Sequence, residues 1–115
     1  TRIGHGIALA ADAELLKRVR DRGVVIEVCL TSNVQTCGVP SLAAHPLPTF
    51  LAEKVRATLN TDDPSISNIR LSDEFALAAR EFQLGEPAIR QLLLNAAQGA
   101  FANDEVRRDL EARVR

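Results

Sequence analysis

Apolar positions along this chain switch between two spacings. Val24-Val25-Ile26-Glu27-Val28-Cys29-Leu30 is a nearly unbroken β-branched run, the pattern of a strand covered on both faces. Lys54 to Leu59 predicts another strand, and Arg2-Ile3-Gly4-His5-Gly6 reads as a strand end entering a loop, with glycines allowing close backbone approach. Between the strands the spacing becomes helical. Asp12 is a good N-cap for a helix through Arg22, with Leu15, Leu16 and Val19 on one face and Gly23 at its end. A loop rich in Gly, Pro and Ser runs to Pro46, and a short helix near Leu47 to Glu53 follows. The order strand, helix, strand, helix, strand over residues 1–64 predicts parallel strands joined by crossover helices.

From residue 65 onward the pattern is helical. Ser72 is placed to cap a helix with Asp73 and Glu74 in its first turn, running to about Gln83. Gly85-Glu86-Pro87 opens a second helix, whose Ile89, Leu92, Leu93, Ala96, Ala97, Ala100 and Phe101 should face a core. Asn103 caps a third, on which Arg107, Arg108 and Arg113 read as a solvated face. An isolated three-stranded sheet would leave Val24 to Leu30 hard to protect, since such strands need neighbours on both edges and helices on both faces. The expectation is therefore an incomplete α/β structure, a piece of a larger parallel sheet.

Composition narrows the classes without choosing among them. Hydrophobic residues make up 46% and charged residues 25% of the 115 positions, ordinary values for a globular domain. A net charge of −1 with no Lys/Arg cluster gives no footprint for nucleic acid. No apolar run reaches the roughly 20 residues of a membrane span, and nothing resembles a signal peptide. A cytoplasmic protein is expected, with Cys29 and Cys37 reduced; their spacing lacks the second pair or histidine partner of a zinc site. The chain has no Met and begins with Thr1. Initiator removal and excision from a longer chain both explain that start, and the incomplete architecture favours the second.

Chemistry-bearing residues gather after each predicted strand: His5, then Thr31-Ser32-Asn33, then Asp62-Asp63. In a parallel sheet these three ends share one rim, where α/β enzymes keep their chemistry. Pro64 stops the last strand and restricts Asp63 to extended geometry. Strand alternation would point one aspartate into a central site and the other across it. The competing reading of Asp62-Asp63 is a turn and helix-cap pair. A lone histidine can be structural, but the rim position of His5 favours a site. His45, before Pro46, reads as structural. Ser32 and Asn33 read more simply as strand capping than as a pocket wall.

Arg2-Ile3-Gly4-His5-Gly6, Glu27-Val28-Cys29 with Thr31-Ser32-Asn33, His45-Pro46 and Leu59-Asn60-Thr61-Asp62-Asp63-Pro64, extended by Ser72-Asp73-Glu74-Phe75 and Asn95-Ala96-Ala97, together resemble the C-terminal part of the adenosine deaminase family. The resemblance implies a (β/α)8 TIM barrel of ~250 residues or more. This chain would supply about strands 6–8 and the closing helices, as one segment of a single domain. It also implies hydrolytic deamination of a 6-aminopurine, adenosine first and adenine or aminodeoxyfutalosine as alternatives, with one zinc ion activating water. In that frame Asp62 resembles the zinc ligand that contacts the attacking water, and His5 the histidine beside that water. Asp63 resembles the residue bonded to purine N7, an acceptor, which requires a protonated carboxyl or a donor arrangement on the base.

The family's His-x-His pair, its further zinc-binding histidine and its proton-donating glutamate have no counterpart here. The chain alone is expected neither to hold zinc tightly nor to deaminate, and its expected partner is the missing N-terminal half of the barrel, on the same or a second polypeptide. A truncated homologue serving as a binding or assembly module, and a related amidohydrolase acting on another amine, are the competing expectations. The other zinc deaminase type, with His-x-Glu and Pro-Cys-x-x-Cys, is not matched.

Overall fold

The computed structural model describes residues 1–115. Three strands, β1 (Arg2–Gly4), β2 (Val25–Val28) and β3 (Arg56–Leu59), lie parallel in chain order. Ile3 stands opposite Ile26, Ile26 opposite Ala57, and Val28 opposite Leu59. Parallel neighbours need crossovers. Helix α1 (Ala13–Asp21) makes the first, and α2 (Leu30–Gln35) with α3 (Leu47–Ala52) makes the second. A single turn, α4 (Pro64–Ser67), follows β3, and α5 (Leu71–Glu81), α6 (Glu86–Gly99) and α7 (Asp104–Val114) complete the chain. No helix is long and apolar enough to cross a membrane.

Alternation sends Ile26, Val28, Ala57 and Leu59 to one face of the sheet. There they form one buried cluster with Leu16 and Val19 of α1, Leu47 and Phe50 of α3, Ala78 of α5 and Leu92 of α6. Arg2, Glu27 and Thr58 occupy the other face, where Arg2 pairs with Glu27 at 2.9 Å. Cover on both faces, expected for β2, is thus met on the helix side. On the other it holds only at Val25, which packs so closely under α6 that a Cβ at Gly99 would lie 3.0 Å from its side chain.

The predicted caps of α1, α6 and α7 form as expected. Asp12 accepts from the Leu15 N–H at 2.9 Å, Pro87 sits in the first turn of α6, and Asn103 accepts from the Val106 N–H at 2.9 Å. Four boundaries differ, each for a local reason. Strand β2 stops at Val28 rather than Leu30, because Thr31 already belongs to a helix whose N-terminus is held by Glu74. Strand β3 begins at Arg56, since Lys54 is left-handed (φ 57°) and the Val55 N–H bonds Phe50 O in the turn ending α3. Helix α5 starts two residues early; Asp73 accepts from the Arg70 N–H at 2.7 Å, so Ser72 is inside the helix and not its cap. Phe101, which periodicity places on the core face of α6, lies past the helix end and is exposed, with the Arg2 guanidinium 3.7 Å above its ring.

The sheet is open at both sides. Strand β1 has no neighbour beyond it and is exposed along its length. On the outer edge of β3, the buried Asn95 of α6 donates Nδ2 to Ala57 O at 2.8 Å, replacing one ladder bond with a side-chain bond. Truncating Phe50 or Leu92 to alanine is expected to cost about 2–5 kcal/mol, because both are fully buried in the shared cluster. Lys17→Ala on the exposed side of α1 should stay within about 0.5 kcal/mol. Urea denaturation of the three variants checks the core assignment.

Candidate active site at the strand ends

Two residues at the strand ends leave the backbone conformation that L side chains prefer. His5 has φ 60° and Asp62 φ 62°. Each costs roughly 1–3 kcal/mol relative to extended or helical backbone. The turn after β1 is held because the His5 N–H still bonds Glu27 O at 2.9 Å. It also needs Gly6 at the next position, itself at φ 62°, where a Cβ would come within 2.8 Å of Ile26. The sharp turns bring His5 and Asp62 together across the rim, with His5 Nε2 3.9 Å from Asp62 Oδ2.

Asp63 goes elsewhere. Its Oδ1 accepts from the Ser65 and Ile66 N–H groups, both at 3.1 Å, and so caps α4. The helix-cap reading therefore holds for Asp63, while Asp62 stands beside His5 on the rim. That cap leaves Asp63 Oδ2 free of the helix.

Helix α2 supplies the rest. Glu74, buried on α5, accepts from the Thr31 N–H at 3.2 Å and from the Thr31 hydroxyl. This anchors the first turn of α2 and sets Ser32 and Asn33 on the rim. Ser32 Oγ donates to Asp62 Oδ2 at 2.6 Å. Asn33, only 2% exposed, places Nδ2 2.9 Å from His5 Nδ1 and Oδ1 3.0 Å from His45 Nε2. His45 is buried, accepts from the Leu47 N–H at 3.0 Å, and is held by burial to a pKa of about 4, so it is neutral near pH 7. Its expected structural role holds, and it also reaches the site through Asn33. Ser32 and Asn33 do not cap a strand; they bond the site residues. Their position after the second strand and their place among the resembling motifs were the signals in sequence, and spacing alone does not show which partner each would meet.

The two cysteines are both free. Burial, reinforced by Asp62, Glu74 and Glu27, pushes the Cys29 thiol up to about 12, so it stays protonated and sits 3.6 Å from Glu27 O. As for a metal, Asp62 Oδ2 is engaged by Ser32 while Oδ1 makes no protein hydrogen bond, which suits a single carboxylate ligand oriented from behind. No three His, Cys, Asp or Glu side chains gather to hold an ion, so this chain fits one ligand of a catalytic zinc and not the set of three.

The low pKa of His45 carries a stability prediction. Its neutral form is favoured in the fold, so stability is complete above about pH 6.5 and falls as pH drops toward 4, by at most about 3 kcal/mol. Thermal denaturation should show the stability of the native protein relative to His45→Gln shrinking over that window. A difference independent of pH would contradict the assignment.

The adenosine deaminase family model matches residues 1–115. The chain is 42% identical over 113 residues to adenosine deaminase of Escherichia coli O157:H7, an alignment covering 98% of this chain and 34% of that protein. Adenine deaminase from Arthrobacter aurescens superposes with a TM-score of 0.93 at 32% identity, over 98% of this chain and 35% of that one. A Zn-bound amidohydrolase from Burkhoderia ambifaria gives 0.88 at 25% identity, over 98% and 32% of the two chains. The chain thus spans about a third of the length of these relatives. Its strands and rim form part of a (β/α)8 barrel, and the chain belongs to the adenosine deaminase family.

Proposed function

We propose that these residues are strands 6–8 and the closing helices of a zinc-dependent hydrolase that deaminates a 6-aminopurine, adenosine first, to the 6-oxopurine and ammonia. The single observation that carries the reading is the placement of Asp62. It is held in a left-handed turn, braced at Oδ2 by Ser32, faced by His5, and free at Oδ1. Asp62 would hold the metal, which when bound lowers the pKa of water and polarises the reacting centre. His5 would stabilise charge, or move a proton, at the attacking oxygen. Asp63 would read purine N7 through Oδ2, since Oδ1 is committed to the cap of α4. That contact requires a hydrogen on the carboxyl or a donor on the base.

The remaining zinc ligands would come from the N-terminal part of the barrel, on the same or a second polypeptide. The unpaired outer edge of β1 supports this, as do Ile3 and Leu15, large apolar side chains left exposed beside it. The chain alone would neither retain zinc nor deaminate. Adenine is the second reading of the substrate, favoured by the superposition on adenine deaminase.

In the assembled protein, Asp62→Ala should abolish both zinc binding, measured by elemental analysis, and loss of adenosine absorbance. Asp63→Ala should keep zinc and weaken purine binding by about 10- to 100-fold, since it leaves a polar atom of the base without its hydrogen-bond partner. Zinc and activity surviving in Asp62→Ala would refute the assignment. Running the assay with adenine in place of adenosine decides between the two substrates.

A further inference from the structure

We propose that His45 and Asn33 are positioning residues for His5: a buried hydrogen-bond chain starting at the α3 backbone holds the His5 imidazole in one orientation and in its Nε2–H tautomer. The functional meaning of this device rests on the deaminase reading; its structure does not.

The direction of every link follows from the first. The Leu47 N–H can only donate, so His45 Nδ1 accepts, at 3.0 Å. The neutral ring then carries its proton on Nε2, which donates to Asn33 Oδ1 at 3.0 Å. With the oxygen turned toward His45, the amide nitrogen of Asn33 is the atom 2.9 Å from His5 Nδ1, and it donates there. His5 Nδ1 is therefore an acceptor, and the ring proton sits on Nε2, the nitrogen facing Asp62 at 3.9 Å. Reversing the Asn33 amide would set its N–H groups against the His45 Nε2–H and leave His5 Nδ1 facing an acceptor, with both inner side chains buried and unable to recruit water.

The anchor matters because His5 is otherwise loosely held. Its backbone is left-handed and its side chain is 44% exposed. Its other side-chain neighbour, Asp62, lies beyond hydrogen-bond distance of Nε2. Without Asn33, ring rotation and the Nδ1–H tautomer both become accessible. With it, the rim is presented with a directed N–H donor at His5 Nε2. Where a histidine serves a developing charge or a proton transfer, that choice of tautomer decides whether it offers a donor or an acceptor.

Asn33→Asp is the discriminating variant, because it keeps the shape and turns both ends of the amide into acceptors. Long-range proton–nitrogen correlation spectra of the ¹⁵N-histidine-labelled intact protein, near pH 8, report which ring nitrogen carries the proton. His5→Gln identifies the His5 signals by their loss. The expected result is an Nε2–H tautomer for His5 in the native protein and an Nδ1–H tautomer in Asn33→Asp. His45→Gln, whose amide can both accept from Leu47 and donate to Asn33, should keep Nε2–H. A native His5 in the Nδ1–H form or a mixture of tautomers overturns the proposal. So does an unchanged tautomer in a folded Asn33→Asp. Should Asn33→Asp fail to fold, the native and His45→Gln spectra still decide: any departure from Nε2–H in either overturns it. Where the protein deaminates, kcat of Asn33→Asp should fall about 100-fold with KM changed little and zinc retained. An intact protein with the expected tautomers but no purine deamination would refute the deaminase reading and leave the relay standing.

Discussion

Everything on the rim depends on one buried carboxylate. Glu74 lies on α5, far along the chain from β2, and takes the Thr31 N–H and hydroxyl as its partners. A charge buried without partners would be costly. Here it is met by donors at a helix N-terminus, where backbone N–H groups have no partners within the helix. That interaction turns the chain from strand to helix directly after Cys29. Were β2 to continue through Leu30, Ser32 and Asn33 would lie farther along an extended chain, and neither Asp62 nor His5 would have its present partner.

From that point the site builds outward by hydrogen bonds whose directions are set by backbone groups. Ser32 orients Asp62, and Asn33 joins His5 to His45. The two outermost members, His5 and Asp62, carry backbone strain that the parallel ladder and Gly6 sustain. The helix-covered face of the strands, by contrast, is an ordinary apolar cluster. The division of labour follows from alternation: one set of strand positions meets helices, the other faces what in the whole barrel is its interior.

Local patterns made much of the fold legible. The Asp12 and Asn103 caps, the stop at Gly23, Pro87 at a helix start and the apolar run around Ile26 all act over a few residues. Their effects do not need the rest of the chain. The boundaries that sequence misplaces are those decided at long range or by backbone geometry. Glu74 ends β2 early from 43 positions away, and Lys54 shortens β3 by adopting a left-handed turn. Phe101 follows the apolar period of α6 but falls beyond its last turn, where a cation over its ring substitutes for core packing.

The site divides the same way. Sequence by itself determined that His5, the Thr31-Ser32-Asn33 run and Asp62-Asp63 would collect at the carboxyl ends of parallel strands, because strand order and polarity are written in local period and turn residues. It also offered one candidate zinc ligand, Asp62, in a chain whose two histidines, His5 and His45, lack metal-ligand spacing. Only the tertiary structure decided which partners each residue meets there. Adjacent aspartates part company because a left-handed backbone at Asp62 and a helix start at Asp63 send their carboxylates to different partners. Asn33 and His45, which spacing alone left as capping and structural residues, join His5 because hydrogen bonds depend on distances and directions that exist only after the elements have packed.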